Sequence, residues 1–115
     1  MTEAVRFFSF DEMEAEYVTP KYSKAFGPLV AGSQIEVGRL RFRAGEGAVP
    51  HAHPLEQIMV VLRGRLRATL GEETRELGPG QGFVALPNLQ HHVTALEDSE
   101  VLSCKALVDG KGHKI

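Results

Sequence analysis

From residue 35 onward the chain is a run of short segments, each stopped by glycine, proline or a polar cluster within a few residues. This punctuation constrains the fold more than any other feature, because no helix of useful length fits between the breaks. Gly38-Arg39-Leu40-Arg41-Phe42-Arg43-Ala44 alternates strictly, with Leu40 and Phe42 on one face and three arginines on the other, a solvated or interface face. Glu56 to Leu62, Arg65 to Leu70, Thr74 to Leu77, Phe83 to Leu86, His91 to Leu96 and Glu100 to Val108 follow as further strand candidates. Gly71-Glu72 has the composition of a hairpin turn, and Gly78-Pro79-Gly80, Pro87-Asn88 and Glu97-Asp98-Ser99 separate the other strands. About seven short strands so spaced predict an all-β antiparallel sandwich or barrel.

Residues 1–34 read differently, as an N-terminal arm ahead of a barrel domain at 35–115. Val5, Phe7, Phe8 and Phe10 make a short apolar patch, and Ser9 or Asp11 is placed to cap a brief helical turn from Asp11 to Tyr17. Pro20, Gly27 and Pro28 predict irregular backbone after it. A chain of 115 residues has room for one core. Its 43% hydrophobic and 24% charged residues argue against disorder. A net charge of -2 without a basic tract argues against nucleic-acid binding. The longest apolar run, Ile58 to Leu62, is far too short to cross a membrane. Glu3, Asp11, Glu12, Glu14 and Glu16 leave no apolar signal core, and the one cysteine, Cys104, permits no internal disulfide; a cytoplasmic location is expected. Cys104 itself reads as a small buried hydrophobe.

Ile58 to Leu62 is apolar on both faces of its strand. Only one face of a barrel strand points inward, so the arm, a local loop or a second subunit must cover the other. Two-fold pairing is the commonest solution, and a homodimer involving the arm is expected.

Four of the five histidines fall between residues 51 and 92. His51 and His53, two apart, project from the same face of an extended segment, and Gln57 shares their parity. In a straight strand Gln57 would lie roughly 13 Å beyond His53. Pro54-Leu55-Glu56 favours a turn that folds the Gln57 strand back alongside His53, so that a histidine from another strand completes a metal-ligand set. Glu56 has the opposite parity and is expected at the surface.

At these residues the sequence resembles the small single-domain cupins. Gly45-x5-His51-Ala52-His53-x3-Gln57-x6-Gly64 is similar to the first cupin motif, with Gln57 where the family usually has glutamate. Gly80-x5-Leu86-Pro87-Asn88-x2-His91 resembles the second, with Leu86 for a customary proline and Asn88 for a glycine; asparagine tolerates the left-handed backbone that glycine favours. The resemblance spans residues 36–108 and implies a cupin-type antiparallel jelly-roll β-barrel. It also implies one divalent transition metal (Fe, Mn, Ni, Cu or Zn) held by His51, His53, Gln57 and His91, a donor set that suits such ions. His92 competes with His91 for the fourth position, but the two have opposite parity and the motif registers on His91. Met59, Val61 and Val93 then line the cavity, and His113 is left to the solvated tail.

Two functions fit. One is a metal-dependent enzyme, oxygenase- or isomerase-like, acting on a small metal-coordinating molecule in the barrel. The other is a binding or sensing module in which nothing is turned over; a purely structural metal is a third, weaker reading. No general base is assignable from sequence unless Lys105 or Glu56 faces inward.

Overall fold

Eleven strands, all antiparallel, carry the fold among residues 6–114, which the computed structural model describes. They are β1 (Glu16–Tyr17), β2 (Phe26–Gly27), β3 (Leu29–Ala31), β4 (Ile35–Phe42), β5 (Gly47–His51) and β6 (Gln57–Arg63). The remaining five are β7 (Leu66–Leu70), β8 (Glu73–Leu77), β9 (Gly82–Ala85), β10 (His91–Ala95) and β11 (Ser99–Ala106). One sheet runs β1-β2-β4-β11-β6-β9, with β3 also on β4, and a four-stranded sheet runs β5-β10-β7-β8. The two sheets face each other as the halves of an antiparallel jelly roll.

Alternation decides what each strand gives to the interior. On β4, Leu40 and Phe42 are buried while Arg41 is exposed. On β6, Gln57, Met59 and Val61 face in; on β11, Ser99, Val101, Ser103 and Lys105 do. Register aligns these rows: Val101 lies opposite both Leu40 and Val61, and Lys105 lies opposite both Glu36 and Gln57. One end of the interior is therefore apolar, packed by Leu40, Phe42, Val61, Leu66, Ala95 and Val101. Each of the larger aliphatic or aromatic side chains there contributes roughly 1.5–3 kcal/mol by leaving water. The other end is polar, and the candidate site lies there.

The turn signals hold at the points that set the register. Gly64, between β6 and β7, has φ +91, and a Cβ there would collide with Ser99 and the Asp98 carbonyl. Asn88 takes φ 67, the left-handed conformation that its motif position requires.

The arm departs from expectation. A single 3-10 turn, Phe10–Glu12, replaces the longer helical turn, and Ser9 precedes it without a side-chain capping bond. β1 falls at the end of the expected helical turn and pairs with β2; the stretch through Gly27 and Pro28, expected to be irregular, supplies β2 and β3, because β4 presents an open edge on which short segments can pair. Val18 and Ala25 join the core. Two of the β4 arginines fasten this region: Arg39 pairs with Asp11 and lies over the Phe10 ring, and Arg41 lies over Phe26. Val5 lies outside the described residues. The rest of the patch stays outside the core, with Phe7 94% exposed. The outer face of β6 is not covered: Ile58 and Leu62 are 42% and 39% exposed. Cys104, expected to be buried, is only half-buried, because its parity puts it on that same outer face opposite Ile58 and Val37. Among the described residues no helix is long and apolar enough to cross a membrane.

Candidate metal centre

His51 ends β5 and His91 begins β10, and the two are direct cross-strand partners in the four-stranded sheet. The next pair in register is Ala48 with Val93, so β5 carries one extra residue between the pairs, at Val49 and Pro50. A bulge accommodates Pro50, which has no N–H to give to the ladder. It also frees the Val49 carbonyl to accept a hydrogen bond from His51 Nδ1 at 2.7 Å. His53 follows β5, and its carbonyl accepts the Asn88 N–H at 2.7 Å, which ties the two histidine-bearing segments together.

The route to Gln57 differs from the expected turn. Pro54-Leu55-Glu56 does not fold β6 back beside β5; it carries the chain from the four-stranded sheet to the larger one. Gln57 thus faces the histidines across the interior, and it lines the same cavity as His51.

The three histidines His51, His53 and His91 form one cluster, with a potential ligand atom from each within 4.8 Å of the others, and could hold a metal ion. Ring centroids lie 4.5 Å apart for His51–His91, 4.8 Å for His53–His91 and 5.4 Å for His51–His53. Every Nδ1 faces a backbone carbonyl: His51 that of Val49, His53 that of Leu55 at 2.7 Å, and His91 that of Leu89 at 2.8 Å. A carbonyl only accepts, so each Nδ1 carries the proton and each Nε2 presents a lone pair. The Nε2 atoms of His53 and His91 are buried and have no hydrogen-bond partner. Two buried, orphaned acceptors within one histidine cluster fit a cation and otherwise carry a desolvation penalty. Burial, followed by the nearby charge of Lys105, pushes the His53 pKa down to about 4. Burial also lowers that of His91. Both rings are held neutral, as ligation requires.

His92 points away from the cluster and is half-buried, as parity predicts, and Glu56 is exposed. Met59 and Val93 border the cavity together with Gln57 and His51. Val61, expected beside them, belongs to the apolar core and does not border the cavity. The cavity itself is small, about 40 Å³, with room for a few water-sized groups.

Lys105, whose direction the sequence left open, faces inward: it is 4% exposed, lines the cavity, and burial brings its pKa down to about 8. Two further features escaped the sequence reading. Tyr22, from the arm, stacks on the His51 ring at 5.2 Å and 10°. His113, expected in a solvated tail, is 2% exposed and lines the cavity, because half-buried Glu36 and buried Ser103 receive its ring. The parity of β11 is the signal that would have found Ser103 and Lys105, two polar side chains on the same face as Val101.

Comparison with known families agrees with this architecture. Residues 38–106 match the Cupin domain family, and the chain belongs to the cupins. Among solved structures it is similar to KdgF from Halomonas sp., at 30% identity over 90% of this chain and 94% of that one, with a TM-score of 0.79. An RmlC-like cupin from Shewanella frigidimarina NCIMB 400 superposes with a TM-score of 0.82 at 15% identity, covering 95% of this chain and 96% of that one. The polyketide cyclase RemF from Streptomyces resistomycificus shares the fold at 17% identity and a TM-score of 0.76, over 94% and 81% of the two chains. No curated protein sequence matches the chain.

Proposed function

We propose that this cupin is a metal-dependent enzyme of isomerase-like type, acting on a small anionic molecule bound between the metal and Lys105. The observation that carries this reading is the charge of the pocket. His51, His53, His91 and Gln57 are all neutral donors, and among the described residues the one further charged side chain bordering the cavity is a buried lysine. Glu36, the inward carboxylate opposite Lys105, is engaged by His113. A substrate bringing a carboxylate or enolate oxygen would balance that charge. A divalent transition metal bound there would polarise a coordinated substrate oxygen as a Lewis acid.

The chain's own residues do the rest. The carbonyls of Val49, Leu55 and Leu89 hold the three imidazoles in one tautomer. Met59, Val93, Leu40 and Phe42 keep bulk water from the cavity. Lys105 Nζ, its pKa brought down to about 8 by burial, is protonated in most molecules at neutral pH, and its neutral minority is suited to take a proton from a substrate carbon and return it to a neighbouring one. A buried lysine poised for proton transfer is what an isomerase reaction calls for, which is why that type is preferred. We further propose that the exposed outer face of β6 pairs two copies of the chain into a homodimer.

The test begins with metal analysis of protein purified without added metal or chelator. Metal-loaded protein is then incubated in D2O with a panel of small hydroxy- and keto-carboxylates. Deuterium entering a substrate C–H position in wild type and not in Lys105→Met supports the reading. Oxygen consumption without deuterium entry favours an oxygenase; binding with neither favours a sensing module.

A further inference from the structure

From Gln57 a hydrogen-bonded chain runs to Glu36, and the metal centre does not itself require it. Gln57 Nε2 donates to Ser103 Oγ at 2.9 Å. Ser103 Oγ lies 2.8 Å from His113 Nε2. His113 Nδ1 and its backbone N–H both lie 2.7 Å from Glu36 Oε1. Thr19 donates to the His113 carbonyl at 2.5 Å, and Lys114 pairs with Glu16 at 2.5 Å, so the tail bearing His113 is pinned on both sides. Ser103 is 0% exposed and His113 2%.

The direction of every bond in this chain follows from its far end. An ionised carboxylate only accepts, so Glu36 takes the proton on His113 Nδ1. In the tautomer set by this bond the Nε2 lone pair is offered to the other side, and the Ser103 hydroxyl hydrogen turns to it. The Ser103 oxygen is left as an acceptor and takes the Gln57 N–H. With its NH2 group committed there, Gln57 has its amide oxygen free for the cavity. The carboxylate–imidazole–hydroxyl order is also that of a nucleophilic triad. Here, however, the serine is fully buried and already accepts from Gln57, so no substrate atom can reach it.

We propose that Glu36, His113 and Ser103 are positioning residues that fix the orientation of the Gln57 side-chain amide, presenting its oxygen rather than its nitrogen to the metal. This rests on the metal-centre reading above. It gives the buried tail histidine a task and accounts for an amide at position 57, because an amide, unlike a carboxylate, has a wrong way round.

The experiment is a double-mutant cycle read as Co2+ affinity and cobalt absorption spectrum on the full chain. Ser103→Ala should weaken Co2+ binding about tenfold or more and change the ligand-field bands, the usual scale for losing an outer-shell partner. In the Gln57→Glu background either oxygen can face the metal, so adding Ser103→Ala should change affinity by less than about twofold. His113→Leu, which releases the serine hydroxyl, should weaken binding in the same direction and show the same dependence on residue 57; it serves if Ser103→Ala fails to fold. An equal loss in the wild-type and Gln57→Glu backgrounds would mean that Ser103 is merely structural and would overturn the proposal. So would no loss in either background, or covalent labelling of Ser103 by a fluorophosphonate. Wild type that takes up no Co2+ would overturn the metal centre itself, a result separable from the others.

Discussion

Acidifying the protein in the presence of a chelator should weaken the fold through His53 before its carboxylates titrate. The ring is 3% exposed, so solvent screening trims its contribution little, and burial holds its folded pKa near 4 against the ordinary value of 6.5. A depressed folded pKa means that the unfolded chain takes up the proton first. Stability is complete above pH 6.5, falls as pH drops toward 4, and levels off below. Between pH 7.5 and 4.5, linkage through this one ring amounts to about 2.5 kcal/mol. His91 is shifted in the same direction and adds to the loss. Glu36, whose burial is outweighed by its bonds to His113, is held below the ordinary carboxylate value and contributes only further down the scale. The assay is urea unfolding at a series of pH values for wild type and His53→Asn, whose amide can still donate to the Leu55 carbonyl. The stability difference between the two proteins should change by about 2–3 kcal/mol across that range, in the sense that wild type loses more on acidification. A difference constant to within about 0.5 kcal/mol would refute a buried, neutral His53.

Other outcomes are equally open to measurement. His53→Ala should abolish metal retention by elemental analysis while leaving the far-UV circular dichroism of a β-sheet protein, because the apolar end of the core does not involve it. Lys105→Met removes a desolvated amine and should raise the stability of the metal-free protein by about 1–2 kcal/mol while abolishing deuterium exchange into substrate. Gly47→Ala places a Cβ against the Val93 carbonyl; forcing β5 from β10 should cost about 2–4 kcal/mol and lower metal affinity, since His51 and His91 are paired across those strands. Leu62→Glu, on the outer face of β6, should convert a dimer to monomer by light scattering at tens of micromolar, and a monomeric wild type would remove the basis for that pairing.

The strands β4 and β6 to β11 were legible because their signal is local, whereas β5, which contains Pro50, was not among the strands expected. Alternation in Arg39 to Arg43 and the breaks at Gly64, Gly80 and Asn88 require only near neighbours to interpret. The histidine cluster was legible for a related reason, since His51, His53 and His91 occupy fixed positions relative to those breaks. β1 to β3 were not legible, because two- or three-residue strands have no period of their own and exist only where a neighbour offers an edge, β4 for β2 and β3, and β2 for β1. His113 was hidden for a longer-range reason. Nothing in Gly-Lys-Gly-His-Lys indicates burial; what buries it is Glu36, 77 positions earlier, facing inward beside Ser103. The placement of β6 in the opposite sheet from β5 was likewise invisible, because a proline break is compatible with a hairpin and with a crossover alike.

The pairing of β4 with β11 also carries a kinetic consequence. These two strands lie side by side in the larger sheet, and β6 joins that sheet only along the other edge of β11. Leu40 must therefore wait for Val101, about sixty residues further along, before the sheet can close, and no local hairpin can stand in for that step. Refolding should be governed by this long-range search and fall in the millisecond-to-second regime typical of non-local β topologies. Until it succeeds, β4 and β6 each expose an unpaired, largely apolar edge, and the half-folded chain is the species most exposed to aggregation.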